Sequence, residues 1–189
     1  MEYKKIEFSH SGQYIMLQAE GVLEVLEISW AAKGPLGSNE VYNVNVTNKV
    51  DFGDEIRACE LSHDDSYWAS QFNSNPTTIY IVDFSGIRYG VRGDTSGFRN
   101  FRLKHDEPVT MFSMRKSKNL TRSGRIPNII ASFERSGIIK IWCENSLKDN
   151  FTFFLAYTHR TELGPGCNLG FHRSGLTTNQ LSSEVTYHY

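Results

Sequence analysis

Six histidines, three cysteines and one dense basic run are the residues of this 189-residue chain suited to chemistry. The histidines are His10, His63, His105, His159, His172 and His188. They are scattered, without the paired ligand motif that a zinc site tends to show. As general bases they would need a Ser or Cys nucleophile, and no such partnership is recognisable. Structural roles are therefore expected: His10 and His63 as hydrogen-bonding groups of recurring turns, with catalytic and metal-binding residues absent. Cys59, Cys143 and Cys167 are isolated and odd in number, in apolar or turn surroundings. That pattern suits free, buried thiols rather than disulfides or metal ligands.

The basic run is "MRKSKNLTRSGR", Met114 to Arg125. Arg115, Lys116, Lys118, Arg122 and Arg125 form a cluster without one acid. It suits docking on phosphates, acidic partner segments or a lipid surface. It equally suits a solvated hairpin loop, and no interleaved aromatic residues offer stacking for bases.

Other local patterns lead nowhere. "GPGCNLG" (164–170) and "KGPLGSN" (33–39) lack the spacing and the Lys-Ser/Thr of phosphate-cradling loops, so both read as turns. "DFGDE" (51–55) resembles a kinase metal-binding triplet without the other kinase elements. Sequons stand at Asn45, Asn119 and Asn150. "MEYKKIEFSHSG" has no apolar core of a secretory signal and no run is long enough for a membrane span. The expectation is a cytoplasmic protein with unmodified sequons and no cofactor.

The elements that would hold these residues are short strands. Aromatic residues make up 13% of the chain and lie among Val, Ile and Thr without helical spacing. With 39% hydrophobic residues and net charge -1, the chain has a globular composition and no global attraction to nucleic acid. Four stretches repeat: "EFSHSGQYIML", "ELSHDDSYWAS", "MFSMRKSKN" and "GFHRSG". Their apolar anchors, Phe8, Leu61, Phe112 and Phe171, are 53, 51 and 59 residues apart. A period slightly above 50, with strands and turns between, predicts the blades of a β-propeller. Hairpins are predicted between "YIMLQA" and "VLEVLEI", between "SYWASQF" and "TTIYIVDF", and between "NIIASF" and "GIIKIWC". A fourth strand is predicted in "VYNVNV", "GFRNFRL" and "FTFFLAY".

The expected fold is all-β: a single incomplete WD40-type propeller region over 1–189, with almost no helix. Its blades cover roughly 3–47, 55–103 and 108–158, with the start of a fourth at 166–189. Strands such as "VLEVLEI" and "GIIKIWC" are apolar on nearly both faces, as expected for sheets sandwiched between sheets. Three blades and part of a fourth cannot close a ring, so exposed apolar faces and completion by further chain are expected.

The spacing resembles WD-type repeats. Trp142 stands where the Trp of the Trp-Asp pair ends the third strand, and Cys143 replaces the Asp, which should weaken the usual hydrogen-bond network. His105 stands where many such blades place a histidine before their first strand. A closer resemblance covers "FSMRKSKNLTRSGRIPNIIASFERSGIIKIWCEN", about 35 residues, which is similar to the rabconnectin/DmX-like family, relatives of a RAVE complex subunit. Ser113, Arg115, Lys116, Asn128 to Ile130, Ile138 to Trp142 and Glu144 carry it; Met114 departs from it, standing where the family has Trp. The resemblance implies a non-enzymatic scaffold whose protein partners are vacuolar proton-ATPase subunits or RAVE-type assembly factors, on endomembranes. The alternative is a propeller that binds anionic membrane lipid through the basic loop, Arg115 to Arg125.

Overall fold

A computed structural model describes residues 2–30, 42–89, 100–116, 126–145, 152–162, 168–172, 175–180 and 183–187. Each sheet in it is an antiparallel meander whose strands lie in chain order. The first contains β1 (Lys5–Phe8), β2 (Tyr14–Gln18), β3 (Val22–Trp30) and β4 (Tyr42–Asp51). The second contains β5 (Ile56–Leu61), β6 (Tyr67–Phe72), β7 (Thr78–Asp83) and β8 (Asn100–Lys104). The third contains β9 (Val109–Lys116), β10 (Asn128–Glu134), β11 (Ile138–Glu144) and β12 (Phe153–Arg160). A last, three-stranded sheet contains β13 (Asn168–His172), β14 (Gly175–Gln180) and β15 (Ser183–Tyr187).

Local chemistry sets the connections. In the β10–β11 hairpin Gly137 sits at φ 85°, where a Cβ is disfavoured, and its N–H closes the turn on Glu134 O at 3.0 Å. Among the described residues one helix interrupts the strands: α1 (Phe84–Tyr89), whose first residue, Phe84, closes the predicted strand "TTIYIVDF". Asp83 Oδ1 accepts from the Ser85 N–H at 2.9 Å and from its hydroxyl at 2.7 Å, which starts this turn. Phe84 and Ile87 are then fully buried between the first two sheets.

Alternation along the strands decides which sheet each residue meets. On the second sheet Leu61, Trp68 and Val82 point toward the first, packing with Tyr14, Met16, Leu23, Val25 and Val50. Their neighbours Tyr67, Ala69, Ile79 and Ile81 point the other way, against Val109, Met114, Ile130, Trp142 and Phe153 of the third. Ala131, Phe133, Ile139 and Ile141 then form the far face of the third sheet, and β13 lies against β9 and β10. β11 is thus apolar on both faces, as expected. β3 is not: Leu23 and Val25 are buried while Leu26 and Ile28 are only half-buried on the opposite face. That face also exposes Phe8, 62% accessible, and Ile6, 65%.

The register aligns the repeats. Phe8 pairs with Ile15, Leu61 with Trp68, and Met114 with Ile130, each pair extended into the third strand by Leu26, Val82 and Trp142. The residue equivalent to Phe8 and Leu61 is therefore Met114, not Phe112, which lies two positions earlier opposite Ser132. The interval from Phe8 to Leu61 to Met114 is 53 each time. Sequence matching favoured Phe112 because it is aromatic; the hydrogen-bond ladder places Met114 in that rung. Phe171 lies in β13, opposite Leu176.

Trp68 is fully buried and stacks on Phe52 with ring centroids 5.1 Å apart. Trp68→Ala is expected to cost about 3–5 kcal/mol in urea denaturation, because the cavity opens where two sheets meet. Ile6→Ala, on the exposed face, is expected to cost well under about 1 kcal/mol.

Candidate functional site

Several buried polar groups among the described residues join one sheet to the next. Gln18 donates from Nε2 to Ile56 O at 3.1 Å, and Gln71, 53 residues later, donates to Val109 O at 2.9 Å. Each glutamine thus fastens the end of one sheet's second strand to the first residue of the next sheet. Glu60 accepts from Met114 N at 2.8 Å and from the Ser113 hydroxyl at 3.3 Å. Glu144 accepts from Tyr67 OH at 2.8 Å, and from Asn128 N and Nδ2 at 2.9 and 3.0 Å. The Cys59 thiol donates to Gln18 Oε1 at 2.9 Å, and burial pushes it up to about 11, so it is no nucleophile at neutral pH. Burial also raises Cys143; Cys167 lies outside the described residues.

Trp142 is tied within its own sheet. Its indole N–H donates to Ser132 Oγ at 3.1 Å, and His105 Nε2 lies 2.7 Å from the same oxygen. His105 Nδ1 is 3.1 Å from Leu103 O, a carbonyl that only accepts. The proton therefore belongs on Nδ1, and Nε2 accepts from the Ser132 hydroxyl. Burial lowers the His105 pKa and favours this neutral form. The network expected to weaken with Cys143 is instead closed through Ser132. Beside it, buried Lys140 pairs with Glu134 and Asp106, both at 2.8 Å. Both nitrogens of His105 are occupied in packing, so this imidazole is held as a structural group.

A cleft of about 490 Å³ opens where the first strands of three sheets end, lined by His10, Glu60, His63, Ser113, Met114, Arg115 and Lys116. His10 follows β1 and His63 follows β5; their rings meet edge to face with centroids 4.4 Å apart. Asp65, held at φ 54°, accepts from the N–H groups of His10 and Ser11, both at 2.9 Å. Lys116 lies 3.1 Å from Asp64. Burial opposes the charge on Asp64, but the hydroxyls of Ser66 and Ser62 and the Lys116 ammonium together hold its pKa at about 2. Burial pushes Glu60 up to about 7 against the pull of Met114 N–H and Ser113.

Of the basic run, Arg115 and Lys116 close β9 and line this cleft; Lys118, Arg122 and Arg125 lie outside the described residues. The sequence pattern did not foresee that the His10 and His63 rings meet each other and Lys116; the even spacing of their positions was the available signal. "DFGDE" is a turn in which Asp51 accepts from Gly53 N at 2.9 Å. His159 stacks on Tyr157 in β12, centroids 6.3 Å apart.

Solved structures share this arrangement. The WD40 domain of SCAP from fission yeast matches at 10% identity and TM-score 0.56, over 98% of this chain and 41% of that one. The fold is that of a partial WD40-type β-propeller. A chain of the mitotic checkpoint complex matches at 16% identity and TM-score 0.50, over 92% of this chain and 43% of that one. The AfRom2 CNH domain matches at 11% identity and TM-score 0.52, over 98% of this chain and 54% of that one. The chain thus spans about half or less of the length of these propeller neighbours. No protein-family model matches it, and no curated protein sequence does. Among the described residues no helix is long and apolar enough to cross a membrane.

Two substitutions test the polar framework. Ser132→Ala strands both the Trp142 indole N–H and His105 Nε2, and is expected to cost about 1–3 kcal/mol by chemical denaturation. Glu60 has a folded pKa above its unfolded one, so the native state binds the extra proton. Its contribution is present at low pH and is lost as pH rises through about 7. Glu60→Gln is therefore expected to flatten the decline in stability between pH 4.5 and about 7, read as melting temperature against pH.

Proposed function

We propose that this chain is part of a non-enzymatic WD-repeat scaffold of the rabconnectin type, acting with assembly factors of the vacuolar proton-ATPase. The single observation that carries the reading is the place of the residues in the resembling segment. They fall on three paired strands, β9, β10 and β11, and several of them contact the second sheet. Ile130 and Trp142 enter the apolar layer, while Asn128 and Glu144 anchor Tyr67.

A scaffold reading also accounts for the polar residues. His105, Ser132, Ser113, Glu60 and Glu144 are engaged in holding the sheets together. What remains for recognition is surface: turns at the strand ends and the exposed outer strand β12, where Phe154, Leu155 and Tyr157 are exposed. Protein partners suit such a rigid platform, whose fold prescribes no chemistry. Any association with endomembranes would be peripheral, through those partners.

Affinity purification of the protein that contains this chain, from cells under mild extraction, is expected to recover vacuolar ATPase or RAVE-type subunits. Replacing Tyr67 and Glu144 together is expected to reduce that recovery along with the stability of the interface between sheets. Recovery of other partners with no ATPase subunit in several preparations refutes the reading.

A further inference from the structure

The cleft at the ends of β1, β5 and β9 is built from equivalent positions. Phe8, Leu61 and Met114 share one rung in their sheets, so the residues two positions on, His10, His63 and Lys116, are equivalent as well. All three line the same opening, with Arg115 beside them. Three successive sheets thus bring a group that carries or can gain positive charge to one end of their adjacent first strands. The sequence repeats the pattern at Phe171-His172-Arg173, though Arg173 lies outside the described residues and is not needed for the site.

The set keeps open surface although acids stand beside it: Lys116 pairs with Asp64 at 3.1 Å, and His10 Nδ1 lies 3.9 Å from Asp65 Oδ1. His10 has a side chain 42% exposed, and Lys116 31%. The two imidazoles sit edge to face with centroids 4.4 Å apart. The nearby acids are already engaged: Asp65 by the main chain of His10 and Ser11, Asp64 by Ser62, Ser66 and Lys116. Their role is to hold the turns that carry the imidazoles. At about 490 Å³ the opening has room for a compact organic anion.

We propose that this cleft is an anion site that takes a compact ligand bearing several phosphate monoesters, through His10, His63, Lys116 and Arg115. Monoester phosphates fit best because they carry close to two charges each and present several acceptors to convergent N–H donors. The same chemistry occurs on a free polyphosphorylated cyclitol and on a phosphoinositide headgroup.

Acid should favour occupancy. Glu60, which lines the cleft, loses its charge as pH falls through about 7, which removes a negative charge from the opening. Glu60 is faced by Lys5 and Glu7 from β1, by Ser113 and the Met114 N–H from β9, and has His63 beyond the end of its own strand.

The test is calorimetric titration of the 189-residue chain with inositol hexakisphosphate, alongside inorganic phosphate, at pH 6 and pH 8. Binding is expected to tighten about tenfold or more toward pH 6 and to weaken with added salt. His10→Asn with His63→Asn, and separately Lys116→Gln, are each expected to weaken it about tenfold, with unchanged circular dichroism. Lys104→Ala, an exposed cation on β8, is expected to leave it unchanged. Glu60→Gln is expected to raise affinity at pH 8 and reduce the pH dependence. Phosphatidylcholine vesicles with and without phosphoinositide separate the sources: capture that the soluble probe displaces assigns the headgroup, and its absence assigns a free ligand. No binding at pH 6, or binding undiminished in both the histidine and the Lys116 variants, overturns the proposal.

Discussion

Burial of both faces of each inner sheet is the constraint on which the rest of this structure depends. A strand with one wet face needs only alternation, whereas Trp68 and Tyr67, adjacent in sequence, are both buried because a sheet lies on either side. Each large side chain removed from water in this way contributes about 1.5–3 kcal/mol. No single sheet could retain that gain alone, because its apolar faces would stand in solvent. The sheets therefore stabilise one another as a stack, and the last face in the row, with Ile6 and Phe8, shows what a sheet looks like without its neighbour.

Stacking of apolar faces is indifferent to register, since one sheet could slide on the next. The polar links remove that freedom. Gln18 and Gln71 recognise one carbonyl each, and Glu60 and Glu144 accept from the main chain or the tyrosine at defined positions. A slip would leave buried donors and acceptors unpaired, which costs about 1–3 kcal/mol for each group. The same requirement explains why His105, Ser132 and Trp142 form a closed set even though the residue after the tryptophan is Cys143. The hydroxyl of Ser132 serves both rings, so an acid at the next position is not needed to complete them.

This order also shapes function. Polar side chains that satisfy one another in the interior are withdrawn from catalysis, and the groups left to meet ligands sit at strand ends. There the repeat has a second effect: it places equivalent residues of successive sheets around one opening. His10, His63 and Lys116 become neighbours for the same geometric reason that Phe8, Leu61 and Met114 share a rung.

Much of this was legible in the chain. Strand chemistry, turn residues and a period slightly above 50 were enough for an all-β repeat, because alternation and turns are local properties. The equivalence of Phe8 and Leu61 was visible, while that of Met114 was hidden behind the aromatic Phe112, since residue type is a weaker guide than the hydrogen-bond ladder. Helix α1 was missed because its six residues include Phe, Ile and Tyr, which favour strands until Asp83 caps the turn. By itself, then, the sequence determined the elements and their order. Only the tertiary structure decided which face meets which sheet, that Ser132 joins His105 to Trp142, and that two imidazoles and a lysine share a cleft. Those relations join residues tens of positions apart, and they exist only once the sheets are stacked.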